Sequence, residues 1–218
     1  MIGIIIAMDK ELFPYLSGNS YVKKEIGGKE FFEFNINGKE AVAVKSGIGK
    51  VNSAYATTLL INNYNPEFII STGISGGLGR KNVLDIVVAE KCVQYDVDTS
   101  ALGDEIGFVS TVNKTYFDAD KEKTELFAEK IGAAKVVFAC GDRFVADKNL
   151  SDYIVKLFNA SACDMESGAI AQIAYITNTP FVAIRCISDS ADGNAAISYE
   201  KLTEIASQKL YEAVKASL

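Results

Sequence analysis

Residues 180–192, PFVAIRCISDSAD, limit what this chain can fold into more than any other stretch. Pro180 opens the segment. Phe181, Val182, Ala183 and Ile184 form an apolar run, and Arg185, Ser188 and Asp189 then turn it polar. A short unbroken apolar run reads as a buried strand. The same device recurs along the chain. IGIIIA (2–7) reads as a strand buried on both faces. EFIISTGISGG (67–77) reads as a short strand running into a glycine-rich turn. DIVVAEKCV (85–93) and AKVVFACGD (134–142) are further strands, the last ending in a turn.

Helical patterns alternate with these runs. Met8 to Leu16 leaves the first strand with Glu11 about one turn in, and Val51, Ala54, Thr58 and Ile61 share a face. Charged residues 118–131 and a short stretch near 149–158 read as helices. ACDMESGAIAQIAYI (162–176) reads as one helix rich in small residues, and a last helix lies near 198–217. Residues 20–46 are hairpin material around an Asn37-Gly38 turn. Residues 94–117 show no period and read as a long, functional loop. The alternation predicts one α/β domain over residues 1–218. Its architecture is a three-layer αβα sandwich around a mixed, largely parallel central sheet.

Composition narrows the chemistry. The chain has 218 residues, a net charge of −6 and no basic run, which argues against nucleic-acid binding. The amino-terminal apolar run has no basic leader and is too short to span a bilayer, so a cytoplasmic location without membrane contact is expected. Cys92, Cys140, Cys163 and Cys186 are widely spaced in apolar surroundings and read as reduced core thiols. Histidine is absent. Histidine-based triads and histidine-ligated metals are therefore excluded, and carboxylates lead the candidates for acid–base work.

In open α/β sheets ligands bind beyond the carboxyl ends of the strands. Four strand ends finish in polar or glycine-rich segments: 7–11, 71–77, 141–144 and 188–189. In a largely parallel sheet they converge on one edge. The carboxylates there are Glu11, Asp142, Glu166 and Asp189. Each has a plainer reading. Glu11 and Glu166 at helix starts complement the helix dipole. Asp189 caps a turn. Arg185 partners any of the acids, and Phe144 is core.

In combination these segments resemble the 5′-methylthioadenosine/S-adenosylhomocysteine nucleosidases of the nucleoside phosphorylase superfamily. The resemblance runs from Ile2 to about Leu210. It rests on AMDKE (7–11), KSGIGKVNSA (45–54), ISTGISGGL (70–78), YDVD (95–98), CGDRFV (140–145), DMESGAIA (164–171) and IRCISDSAD (184–192). It implies hydrolysis of the N-ribosidic bond of an adenine thionucleoside, with no metal or organic cofactor and a homodimer as the working form. By matching positions, Asp189 protonates the purine ring nitrogen and Glu11 activates water. Glu166, with Met165 beside it, holds the ribose hydroxyls. Phe144 stacks on adenine and the Val145 backbone reads its edge. Arg185 and Ser188 support the water and Asp189, while Met8, Ile48 and Tyr199 line the sugar and thioalkyl pocket.

The chain departs from that family at several positions. Ile74 stands where many relatives carry Ser or Thr, which leaves the water site to Glu11 and Arg185. Tyr95 stands where relatives often have His. Thr99 and Leu102 occupy loop positions that shape the thioalkyl pocket, which the partner subunit completes in many relatives. Three other functions remain open. A phosphorylase of the same superfamily needs cationic donors, typically an arginine before the glycine-rich segment. Here Ile70, Ser71 and Thr72 precede it, and Glu11 would repel phosphate. A hydrolase of another modified purine nucleoside, of futalosine type, fits the departures. A non-catalytic nucleoside-binding or storage protein fits the fold but has no need of Glu11, Glu166 and Asp189 together.

Overall fold

The computed structural model describes residues 1–79, 81–189 and 199–218, except the side chains of Tyr199 and Glu200. Ten strands among these residues join one mixed sheet. β1 (Ile2–Ile6) lies between β4 (Lys39–Lys45) and β5 (Ile69–Gly77), parallel to both. β10 (Phe181–Asp189) pairs parallel to β5 along its whole length. β6 (Ile86–Gln94) runs antiparallel to β10 and parallel to β8 (Ala134–Cys140). β8 in turn pairs parallel to β9 (Ala160–Asp164), and β9 returns antiparallel to the end of β5. Strands β5, β10, β6, β8 and β9 thus close on themselves, and the ring leaves none of them with an open edge. The amino-terminal hairpins β2 (Tyr21–Ile26) and β3 (Lys29–Ile36) extend the sheet beyond β4. Asn37 and Gly38 supply the two left-handed residues of the β3–β4 turn.

Helices cover both faces. β1 shows why: Ile4 and Ile6 face one apolar layer and Ile5 the other, so neither face can meet water. α1 (Asp9–Leu16), α3 (Lys121–Ile131) and α6 (Tyr199–Ser217) close the first layer with Leu12, Tyr15, Phe127 and Leu210. α2 (Lys50–Tyr64) and α5 (Ser167–Thr177) close the second with Ala56, Leu60 and Ile170. α4 (Lys148–Phe158) packs Ile154 and Phe158 into a third, smaller cluster with Val93 and Val145. The four cysteines are buried and unpaired. No helix of the described residues is long and apolar enough to cross a membrane.

Three segments differ from the sequence reading. The glycine-rich stretch after Ile70 is strand, not turn, because β10 and β9 bond to it as far as Gly77. Residues 162–164 belong to strand β9 and are not the start of a helix. The segment has no β-branched residue to mark it as strand, and pairing with β8 and β5 fixes it as one. The loop after β6 holds a short strand, β7 (Tyr116–Asp118), paired antiparallel to β6.

Candidate active site

The four strand ends expected to converge do meet, at one cavity of about 120 Å³. They do so because the ring of strands closes, not because they run in one direction. β10 and β5 enter from one side, and β8 and β9 run antiparallel to them from the other. Glu11, Glu166 and Asp189 line this cavity together. Asp142 does not line it.

Glu11 is buried at the third position of α1. Its Oε2 accepts from the Met8 backbone N–H at 3.0 Å, and its Oε1 accepts from the Ile74 N–H at 2.8 Å. Glu11 also closes the first turn of its own helix through the Met8 bond. Gly73 makes room for it, since a Cβ there would sit 2.7 Å from Oε1. Burial raises the proton affinity of Glu11, against the pull of the Ile74 N–H and the charge of Arg185.

Glu166 caps α5, with its Oε1 accepting from the Gly49 N–H at 2.9 Å. Gly49 has φ +97°, a conformation that turns its N–H toward Glu166 and that other residues rarely adopt. Burial, helped by the charge of Asp164, pushes Glu166 up to about 7. Asp164 ends β9 beneath it. Its Oδ1 accepts from Ser167 N at 3.1 Å, Ser167 Oγ at 2.8 Å and Glu166 N at 3.3 Å. Its Oδ2 lies 2.7 Å from Arg185 Nη2, an ion pair not aligned as a hydrogen bond. Arg185, only 2% exposed, also donates to Ser71 O, Ser71 Oγ and Ile184 O. A second cavity of about 10 Å³, the size of one water, lies between Glu11, Glu166 and Arg185. Ser46, Ser71 and Thr72 line it too, so its polar wall extends beyond the pair expected from the sequence.

Asp189 ends β10, 6% exposed, and its Oδ2 accepts from Ser188 Oγ at 2.8 Å. The same hydroxyl contacts the Ser75 carbonyl at 3.2 Å. Phe144 and Val145 follow β8 on the cavity wall, Phe144 half exposed and Val145 buried. Asp142 and Asp96 hold that segment. Lys50 N donates to Asp142 Oδ1 at 2.8 Å, Asp142 N donates to Asp96 Oδ2 at 2.9 Å, and Lys50 Nζ pairs with Asp96 Oδ1 at 2.7 Å. Met8, Ile48 and Met165 also line the cavity. Tyr199 begins α6, but its side chain lies outside the described residues, as do Ser190, Ala191 and Asp192 of the last motif. Tyr95 is buried and its hydroxyl contacts the Arg143 carbonyl at 3.3 Å. Thr99 bonds Asp104 at 2.7 Å, Leu102 is 84% exposed, and neither reaches the cavity of this chain. Asp164 and Arg143 line the cavity without a role in the sequence reading, and Cys163, read there as a core thiol, lines it too. Asp164 had one signal, its place directly ahead of Met165 and Glu166.

Comparison with known proteins agrees with this geometry. A family model described as "Phosphorylase superfamily" matches residues 1–218. The 5′-methylthioadenosine/S-adenosylhomocysteine nucleosidase of Psychromonas ingrahamii is 39% identical over 216 residues, covering 95% of this chain and 93% of that one. Futalosine hydrolase of Helicobacter pylori superposes with a TM-score of 0.94 at 30% identity, covering 99% of this chain and 96% of that one. The Streptococcus pneumoniae 5′-methylthioadenosine/S-adenosylhomocysteine nucleosidase bound to the transition-state inhibitor MT-ImmA superposes with a TM-score of 0.93 at 31% identity, covering 99% and 97%. With the cavity, its three carboxylates and these full-length matches in hand, the chain belongs to the phosphorylase superfamily, among the 5′-methylthioadenosine/S-adenosylhomocysteine nucleosidases.

Proposed function

We propose that the chain hydrolyses the N-ribosidic bond of 5′-methylthioadenosine and S-adenosylhomocysteine, releasing adenine and the thioribose product. The observation that carries this reading is the meeting of Glu11, Glu166 and Asp189 at one cavity. Cleavage leaves an oxocarbenium-like sugar and an electron-rich purine. Asp189 gives its proton to the purine ring nitrogen as the C–N bond breaks, so adenine leaves neutral. A general acid of this kind contributes about 10²–10⁴ in rate. Glu11 takes a proton from the attacking water, whose oxygen bonds to the sugar carbon. Burial raises the proton affinity of Glu11, which makes its carboxylate a stronger base than an exposed one. Two carboxylates in unlike surroundings divide glycoside hydrolysis in the same way.

Glu166 accepts the ribose hydroxyls in charge-assisted bonds. Phe144 stacks on the base, and the Val145 backbone reads its edge. Arg185 and the water-sized cavity beside it hold the nucleophile, and Ser188 orients Asp189. Met8, Ile48, Met165 and Tyr199 contact the sugar and the thioalkyl group. We further assign the enzyme to the cytoplasm, to recovery of methionine sulfur, and to a homodimer whose partner subunit completes the thioalkyl end. The dimer is carried by the likeness to the family, and the exposed apolar side chains of Val51 (80%) and Leu102 (84%) suit it.

The test is adenine release from 5′-methylthioadenosine in phosphate-free buffer. Release that is independent of phosphate is expected, and a strict phosphate requirement would instead identify a phosphorylase. Hydrolysis of futalosine-type nucleosides is the second reading, favoured by the similarity to the H. pylori futalosine hydrolase. Assaying both nucleosides side by side separates the two.

A further inference from the structure

We propose that Asp164 is a positioning residue whose single carboxylate locks the buried Arg185 to the turn that aims Glu166 into the cavity. The proposal rests on the nucleosidase reading for its catalytic meaning, but not for its geometry. One oxygen of Asp164 gathers three donors from the first residues of α5: Glu166 N, Ser167 N and Ser167 Oγ. The other oxygen faces Arg185 at 2.7 Å. The other Arg185 contacts are to neutral groups, the Ser71 carbonyl and hydroxyl and the Ile184 carbonyl. Asp164 and Arg185 are both almost excluded from water. Removing one partner of such a pair leaves a buried charge uncompensated.

A purely structural ion pair would serve anywhere in the core. This one lies at the cavity. Asp164 lines the large cavity beside Glu166, and Arg185 lines the water-sized one beside Glu11. Asp164 therefore fixes a group on each side of the reacting bond: the ribose ligand through the α5 turn, and the water site through the guanidinium. Its charge also reaches Glu166 directly and disfavours a second negative charge there. The groups facing Glu166 are Asp164 on β9, Arg185 on β10, Glu11 on α1 and the Cys140 thiol on β8. Those facing Asp164 are Arg185, Glu166 and the thiols of Cys92, Cys140 and Cys163. Burial keeps all three thiols protonated, which leaves Arg185 and the carboxylates to set the field.

The test is D164N, which keeps an oxygen for the α5 turn and deletes the charge. Two readouts are taken on the whole enzyme. Titration of Glu166, followed by carbon NMR of labelled glutamate and assigned by loss of the signal in E166Q, needs no turnover. Its midpoint should fall by about one pH unit in D164N, because a neighbouring negative charge has gone. The kinetic readout is the pH profile of adenine release. The acid limb of kcat/KM should move down with the Glu166 midpoint, and kcat should fall by about tenfold or more. An unmoved midpoint together with wild-type kcat and KM overturns the proposal, even if D164N melts at a lower temperature. Should D164N not fold, D164E decides. It keeps the charge and displaces the carboxylate by one methylene, so a wild-type acid limb with reduced kcat is expected. Wild-type kcat and KM in D164E overturn the proposal. If the wild-type enzyme releases no adenine yet the Glu166 midpoint moves in D164N, the nucleosidase reading fails and the positioning role stands.

Discussion

Glu166 illustrates how this cavity treats its acids. Its ordinary carboxyl value of 4.5 rises to about 7, through burial first and the charge of Asp164 second. A carboxyl whose folded value lies above its unfolded one holds a proton that the unfolded chain releases. Its stabilising contribution is complete below about pH 4.5 and is lost as the pH rises toward 7. E166Q removes the titration while keeping an acceptor for the Gly49 N–H. We expect E166Q to be more stable than wild type at pH 8, by about 1–3 kcal/mol, and to gain less at pH 5. Thermal melts at the two pH values check this, and an equal difference at both would contradict it. The same variant should bind nucleosides more weakly, since the group that costs stability is the one proposed to hold the ribose. At this scale much of the site was legible in the sequence. Glu11, Phe144, Val145 and Asp189 lie at or just beyond strand-like runs, whereas Glu166 lay in a segment read as helix; each acid had a plainer use, and the family resemblance singled them out. The roles of Asp164 and of Ser46, Ser71 and Thr72 were not legible, because they depend on which strands become neighbours.

The elements carry the next constraint, and β5 is the clearest case. Its glycines read as a turn, yet they let an extended strand pass beneath other groups. A methyl group at Gly73 would meet the Glu11 carboxylate, which accepts from the next N–H along the same strand. G73A should therefore retain the fold and lose about 10- to 100-fold in kcat as Glu11 is displaced, an effect of roughly 1.4–2.7 kcal/mol. Circular dichroism and steady-state kinetics together check it, and wild-type kcat would show that Glu11 tolerates the shift. The segment bearing Phe144 has a different dependence. It hangs on Asp142 and Asp96, which are tied to Lys50 at the start of α2. D96N should raise KM several-fold with little change in kcat, because these partly exposed bonds hold the segment proposed to stack on the base and not the groups proposed to react. A fall in kcat at constant KM would contradict that division. Strand β9 was also misread from sequence. ASACD has no β-branched residue, and only the β8 and β5 ladders make it a strand. Periodicity reports which face is apolar, and small residues leave that signal weak.

At the scale of the whole molecule, alternation of buried strands with amphipathic helices was enough to give the three layers. The closure of β5, β10, β6, β8 and β9 into a ring was not readable, since both parallel and antiparallel pairings contribute to it. Closure is what brings Glu166 on one side against Glu11 and Asp189 on the other. The proposed dimer belongs to this scale. Val51 on α2 is mostly exposed although apolar, so sedimentation velocity should report a dimer and V51E should raise the monomer fraction. A wild-type monomer at micromolar concentration would remove the dimer from the account. The central claim is that Asp189 protonates the leaving base, and D189N addresses it most directly. In phosphate-free buffer D189N should bind 5′-methylthioadenosine about as well as wild type and release adenine about 10²–10⁴-fold more slowly. Adenine release by D189N at a near wild-type rate would contradict the claim.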